Sequence, residues 1–78
     1  MKGTEKDRFL RRLGEWLQRL RRARGLGQDR LTEVAGVASG TVSKIENGTV
    51  DPRATTLVKL ARALDVPPPT LLELGEKY

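Results

Sequence analysis

Leu10, Leu13, Leu17 and Leu20 recur at spacings of three and four, the stripe of one helix face. Phe9 and Trp16 widen it, which predicts a helix from about Asp7 to Arg24. Thr4 or Asp7 is suited to cap its start. Gly25 ends it after an arginine-rich turn that complements the negative end of the helix dipole. A second helix is predicted over Gln28 to Ala35, with Leu31, Val34 and Ala35 apolar and Gly36 as its breaker. A third starts near Ser39 and runs to about Glu46, with Val42 and Ile45 inward and Asn47-Gly48 as its stop. A fourth follows Asp51-Pro52 over about Ala54 to Leu64, with Leu57, Leu60, Ala61 and Leu64 on one face. A fifth, short one is expected over Pro68 to Leu74, because proline tolerates a first helical turn. No stretch alternates with period two, so the predicted class is all-α. No segment can bury its stripe alone, so the helices must pack around a common Leu/Val core.

Seventy-eight residues allow one small domain. Within it, residues 1–8 are expected as a flexible N-terminal arm, 9–74 as the folded domain and 75–78 as a tail. The chain has neither Cys nor His. That removes disulfides, thiol chemistry, most metal sites and the commonest general base. Ser39 and Ser43 have no nucleophile-activating partner, and the carboxylates form no identifiable pair. No catalytic residue, metal or cofactor is expected, nor a small-molecule ligand. No apolar run approaches the roughly 18 residues that span a bilayer, and the polar N-terminus does not read as a signal peptide. A cytoplasmic location is the resulting expectation. Fifteen Lys+Arg against ten Asp+Glu give a net charge of +5, which favours an anionic partner.

Gln28 to Gly48 is the most informative stretch. Two short helices joined by Ala35-Gly36-Val37-Ala38 match a helix-turn-helix, in which glycine lets the second helix leave at a steep angle. Spacing alone fits a structural helical hairpin equally well. The ordered set Leu13-Gly14-Glu15, Leu20-Arg21, Gly25-Leu26-Gly27-Gln28, Ala35-Gly36-Val37, Thr41 to Gly48, Pro52, Leu57 and Leu60 to Val66 resembles the Cro/phage-repressor-type (XRE-like) helix-turn-helix family. The likeness covers about Leu13 to Leu74. It implies a compact five-helix, lambda-repressor-like domain with a motif at about residues 28–46. It also implies binding of double-stranded DNA, usually as a homodimer, in transcription regulation.

On that resemblance the third helix reads bases through Ser39, Gly40, Thr41, Ser43 and Lys44. Hydroxyls can bond base edges, and Lys can donate to guanine. Gly40 departs from the family's habit of a reaching side chain. Taken as a helical residue it gives up about 1 kcal/mol of propensity, and the loss of a contact shifts weight to DNA shape. Gln28 resembles the glutamine that opens the second helix and holds a phosphate. Gly27 stands where the family often has a side-chain cap. Arg22, Arg24, Asn47 and Arg53 are the remaining expected phosphate contacts. The other arginines of the first helix, Arg11, Arg12 and Arg19, are read as a solvated face. Arg21 and Glu46 match positions that pair across the first and third helices, and such a pair would set the angle of the reading helix. Leu71, Leu72, Leu74 and Tyr78 offer an apolar surface for a two-fold dimer.

Two other functions fit parts of the chain. The same fold serves as a protein-binding module, such as an antitoxin or a bridging factor for the transcription machinery. The first helix also reads as a basic amphipathic helix for anionic membranes, although its Leu stripe is more economically core. A duplex-DNA-binding regulator, acting as a repressor, remains the reading that uses most of the sequence.

Overall fold

The computed structural model describes residues 4–67. Among them the fold is all-α, with four helices: α1 Glu5–Ala23, α2 Gln28–Ala35, α3 Thr41–Glu46 and α4 Ala54–Ala63. The fifth expected helix, the tail and the dimer residues Leu71, Leu72, Leu74 and Tyr78 lie outside the described residues.

α1 begins two residues earlier than its hydrophobic stripe suggests. Thr4 is the cap, its Oγ1 accepting from the Asp7 amide at 3.0 Å. Glu5 and Asp7 in the first turn offset the positive end of the helix dipole. Residues 5–8, expected as part of a flexible arm, are therefore helical.

All four helices stop in the same way. Two backbone amides reach back to close the last turn, in the pattern of a Schellman motif. At α1 these are Gly25 to the Arg22 carbonyl, 2.9 Å, and Leu26 to Arg21, 3.1 Å. At α2 they are Gly36 to Glu33, 3.3 Å, and Val37 to Thr32, 3.2 Å. Gly48 and Thr49 do this for α3, and Asp65 and Val66 for α4. The residue after each stop is apolar or hydroxylated, and Leu26, Val37 and Val66 pack on the core.

The core gathers Leu13 and Leu17 of α1, Leu31 of α2, Val42 and Ile45 of α3, and Leu57, Leu60 and Ala61 of α4 with Leu64. α3 packs against α1 and α2, and α2 packs against α4. The shortest helix is thus held by two others, which is what a six-residue helix requires, since it cannot persist alone. None of the described helices is long and apolar enough to cross a membrane.

Candidate nucleic-acid interface

α3 meets α1 at a glycine. A β-carbon built on Gly14 would lie 2.3 Å from the Ile45 carbonyl oxygen and 2.7 Å from that of Glu46. No side chain fits there, so the last turn of α3 rests directly on the α1 backbone. The same face of α1 continues through Arg11, Gln18 and Arg21, at spacings of three and four.

Arg21 and Glu46 close this contact. Arg21 Nε donates to Glu46 Oε2 at 2.6 Å, and Nη2 donates to Oε1 at 3.0 Å. A third donor, Nη1, reaches the Leu26 carbonyl at 2.8 Å. The two side chains are 9% and 1% exposed, so both charges have left water and depend on each other. Gln28 Nε2 adds a bond to Glu46 Oε1 at 2.9 Å, and Gln18 sits near enough to the same carboxylate to favour its charged form. Burial pushes the Glu46 carboxyl up, but the bonds from Arg21 and Gln28, the nearby Gln18 and the Arg21 charge outweigh it. The carboxyl therefore titrates below the usual carboxylate range. The hydrogen bond to Glu46 raises Arg21 against the opposing effect of burial.

The opposite end of α3 is open. The turn between α2 and α3 spans residues 36–40, longer than the four-residue turn suggested by the sequence. Gly36 ends α2 with φ 72°, and Gly40 caps α3 with φ 82°. The Thr41 amide donates to the Ala38 carbonyl at 3.1 Å, and the helical ladder starts with Lys44 to Gly40 at 3.0 Å. Ser39 and Gly40 accordingly belong to the turn and not to the first turn of the helix. Gly40 costs no helix propensity. Its left-handed backbone is one that L side chains enter only at a penalty. Beyond its chain neighbours, none of the described residues lies within 4 Å of a β-carbon built there.

The remaining expected contact residues divide by environment. Ser39, Lys44 and Asn47 are exposed, while Thr41 and Ser43 are half-buried. After α3 the chain is closed by Thr49, whose amide and hydroxyl both reach the Lys44 carbonyl, at 3.0 and 3.1 Å. Arg53 is exposed at the cap of α4. Arg22 is exposed near the end of α1. Arg24 leans toward α4, 3.9 Å from Asp65 in an open, screened pair. Gln28 is half-buried and gives one amide hydrogen to Glu46. Its second N–H and its carbonyl oxygen meet no partner among the described residues. Gly27 caps α2 without a side-chain hydrogen bond.

Gln18 and Gly14 are site residues that the sequence pattern does not single out. The signal for Gly14 was present, since a glycine inside a strong helical pattern points to a close backbone approach. Gln18 carried no comparable signal.

Residues 12–74 match the family described as a helix-turn-helix domain. The chain belongs to this helix-turn-helix family, in its Cro/phage-repressor-type branch. A relative in Bacillus subtilis (strain 168), the uncharacterized HTH-type transcriptional regulator RghRB, is 47% identical over 55 residues. That alignment takes in 69% of this chain but only 40% of the relative's length. Among solved structures, the restriction-modification controller protein C.AhdI from Aeromonas hydrophila superposes with a TM-score of 0.77 at 35% identity. The match covers 80% of this helix-turn-helix chain and 94% of the controller protein.

Proposed function

We propose that this domain is a sequence-specific binder of double-stranded DNA that regulates transcription, with repression as its mode of action. The observation that carries the reading is the unequal mounting of α3. Its last turn is fixed to α1 and α2 through Gly14 and the Glu46 cluster, while Lys44 and the Ser39-Gly40 turn face solvent. A short helix held rigidly from one end suits insertion into a major groove. The names of its relatives, a transcriptional regulator and a restriction-modification controller, point the same way.

In this reading Lys44, Ser39 and the hydroxyls of Thr41 and Ser43 meet base edges, and Gly40 lets the turn come close to the duplex. Gln28, Asn47, Arg22, Arg24 and Arg53 meet phosphates, with Arg24 first leaving its weak contact with Asp65. Arg21 and Glu46 do not read DNA but hold the reader in place. Two copies would engage half-sites about 34 Å apart. No bond is made or broken, so the domain is a binder and not an enzyme. A protein-docking role has less support. Val34, 50% exposed, is the single large hydrophobic exposed among the described residues, far short of a docking patch.

The test is selection from random duplex DNA at two salt concentrations, with the parent and Lys44→Ala. The parent should enrich a defined site and lose affinity steeply with salt. Lys44→Ala should relax preference at one position, by about 1–3 kcal/mol. A parent that enriches no sequence refutes the reading.

A further inference from the structure

Residues 5–11 of α1 precede the region matched by the family, which begins at residue 12. They form roughly two additional helical turns, about 10 Å of helix. They run alongside the loop that follows α3. The stem of Arg11 lies on the Asn47-Gly48 turn, with its Cγ 3.1 Å and its Cα 3.3 Å from a β-carbon built on Gly48. One turn further out, Lys6 Nζ stands 3.5 Å from Asp51 in the same loop. Arg11 is exposed and makes no ion pair with any of the described residues. It lines a shallow groove with Arg8, Arg12 and Glu15.

We propose that Arg11 is a phosphate contact, so that the outer turns of α1 widen the DNA-backbone footprint beyond the region shared with the family. The inference rests on the proposed duplex binding. Three features support it. Arg11 packs on Gly48, the residue that follows the exposed Asn47 at the end of α3, so it lies beside the proposed docking face. Its stem is braced on Gly48, which fixes the origin of the guanidinium and reduces the freedom lost on binding. Among the described residues its charge has no partner, whereas Arg21 is consumed by Glu46 and Lys6 is partly offset by Asp51. Asp7 and Glu15 flank it one turn either way on α1, which tempers the local field without pairing with it. Arg22 and Arg24, near the other end of α1, attract notice in the sequence because they precede the motif directly. Arg11 is brought to the motif only by the way α1 crosses α3.

The experiment measures affinity for the selected duplex against salt, from about 50 to about 200 mM, for the parent, Arg11→Ala, Arg11→Lys and Lys44→Ala. Alanine is the better helix former, and a melting curve checks that the variant remains folded. Arg11→Ala should reduce the slope of log affinity against log salt by about 0.9 per bound copy. Across that fourfold range it then loses about 3.5-fold less affinity than the parent. Arg11→Lys should keep the parental slope, and neither change should alter sequence preference. Ethylation interference on the duplex should lose one flanking phosphate with Arg11→Ala. An unchanged slope for Arg11→Ala, with Lys44→Ala still relaxing preference, overturns this inference alone. Weaker binding at an unchanged slope also overturns it, since that marks a structural role. A parent without duplex affinity brings down both the inference and the function beneath it.

Discussion

The two ends of α3 are built on opposite principles. At Glu46 the helix is sealed: backbone lies on backbone at Gly14, and one carboxylate receives Arg21 and Gln28. At Gly40 there is no side-chain cap, and beyond the adjoining residues none of those described lies within 4 Å of a built β-carbon. The sealed end fixes direction, and the open end leaves room for a ligand. A reading helix needs both, because a side chain can select a base only if its backbone arrives in one orientation.

The largest effect should come from breaking the seal electrostatically. Arg21→Ala leaves Glu46 buried without its countercharge, a loss of about 3–5 kcal/mol. Urea unfolding at neutral pH measures it. The acid limb of the stability curve should move as well. In the parent, Glu46 titrates below its ordinary range. The pair therefore contributes fully above the ordinary carboxylate pKa and fades as pH falls through the lowered one. Without Arg21, burial dominates and the carboxyl takes up its proton at higher pH. An acid limb that stays in place would mean that Gln28 and Gln18 suffice to hold the carboxylate.

Gly14→Ala attacks the same end sterically. The new methyl meets two carbonyl oxygens of the α3 backbone, neither of which can rotate away as a side chain would. A cost of about 3 kcal/mol is expected, the upper part of the range for overpacking. This occurs even though alanine improves the intrinsic helix propensity of α1 by about 1 kcal/mol. A neutral or stabilising result in thermal unfolding would show that α3 can shift its last turn without loss.

The contrast between the ends also explains how much of the molecule was legible in the sequence. Helix positions followed from Leu10-Leu13-Leu17-Leu20 and from Gly25, Gly36 and Asn47-Gly48, because burial and chain reversal act through local spacing. Arg21 and Glu46 could be matched through the family pattern, but their link to Gln18 could not. That link depends on the angle at which α1 crosses α3. The start of α3 was misread for a different reason. Ser39-Gly40-Thr41 has the polar composition of an exposed helical turn, and only the backbone angle of Gly40 distinguishes a turn residue from a helical one. Residues 5–8 of the expected arm are helical because Thr4, one of the two cap candidates, extends α1 past its apolar stripe, and capping is independent of that stripe. Arg11 is exposed, in keeping with a solvated face, and its packing on Gly48 is not legible because the two are distant in sequence.

The smallest effect should be at the open end, where it also separates two causes that are usually mixed. Gly40→Ala places a methyl in empty space, so no clash contributes. What remains is the left-handed backbone at φ 82°, which costs an L-residue about 1–2 kcal/mol. A chemically synthesised chain with D-alanine at position 40 removes that penalty while keeping the methyl. It should match or exceed the parent, by about 0.4–1 kcal/mol, because a methyl restricts the unfolded chain. Gly14 should respond in the reverse sense: its backbone is ordinary α-helix, so changing chirality there offers no relief. If L- and D-alanine at position 40 unfold at the same denaturant midpoint, the cap is not confined to the left-handed conformation. The start of α3 would then be as adjustable as its end is fixed.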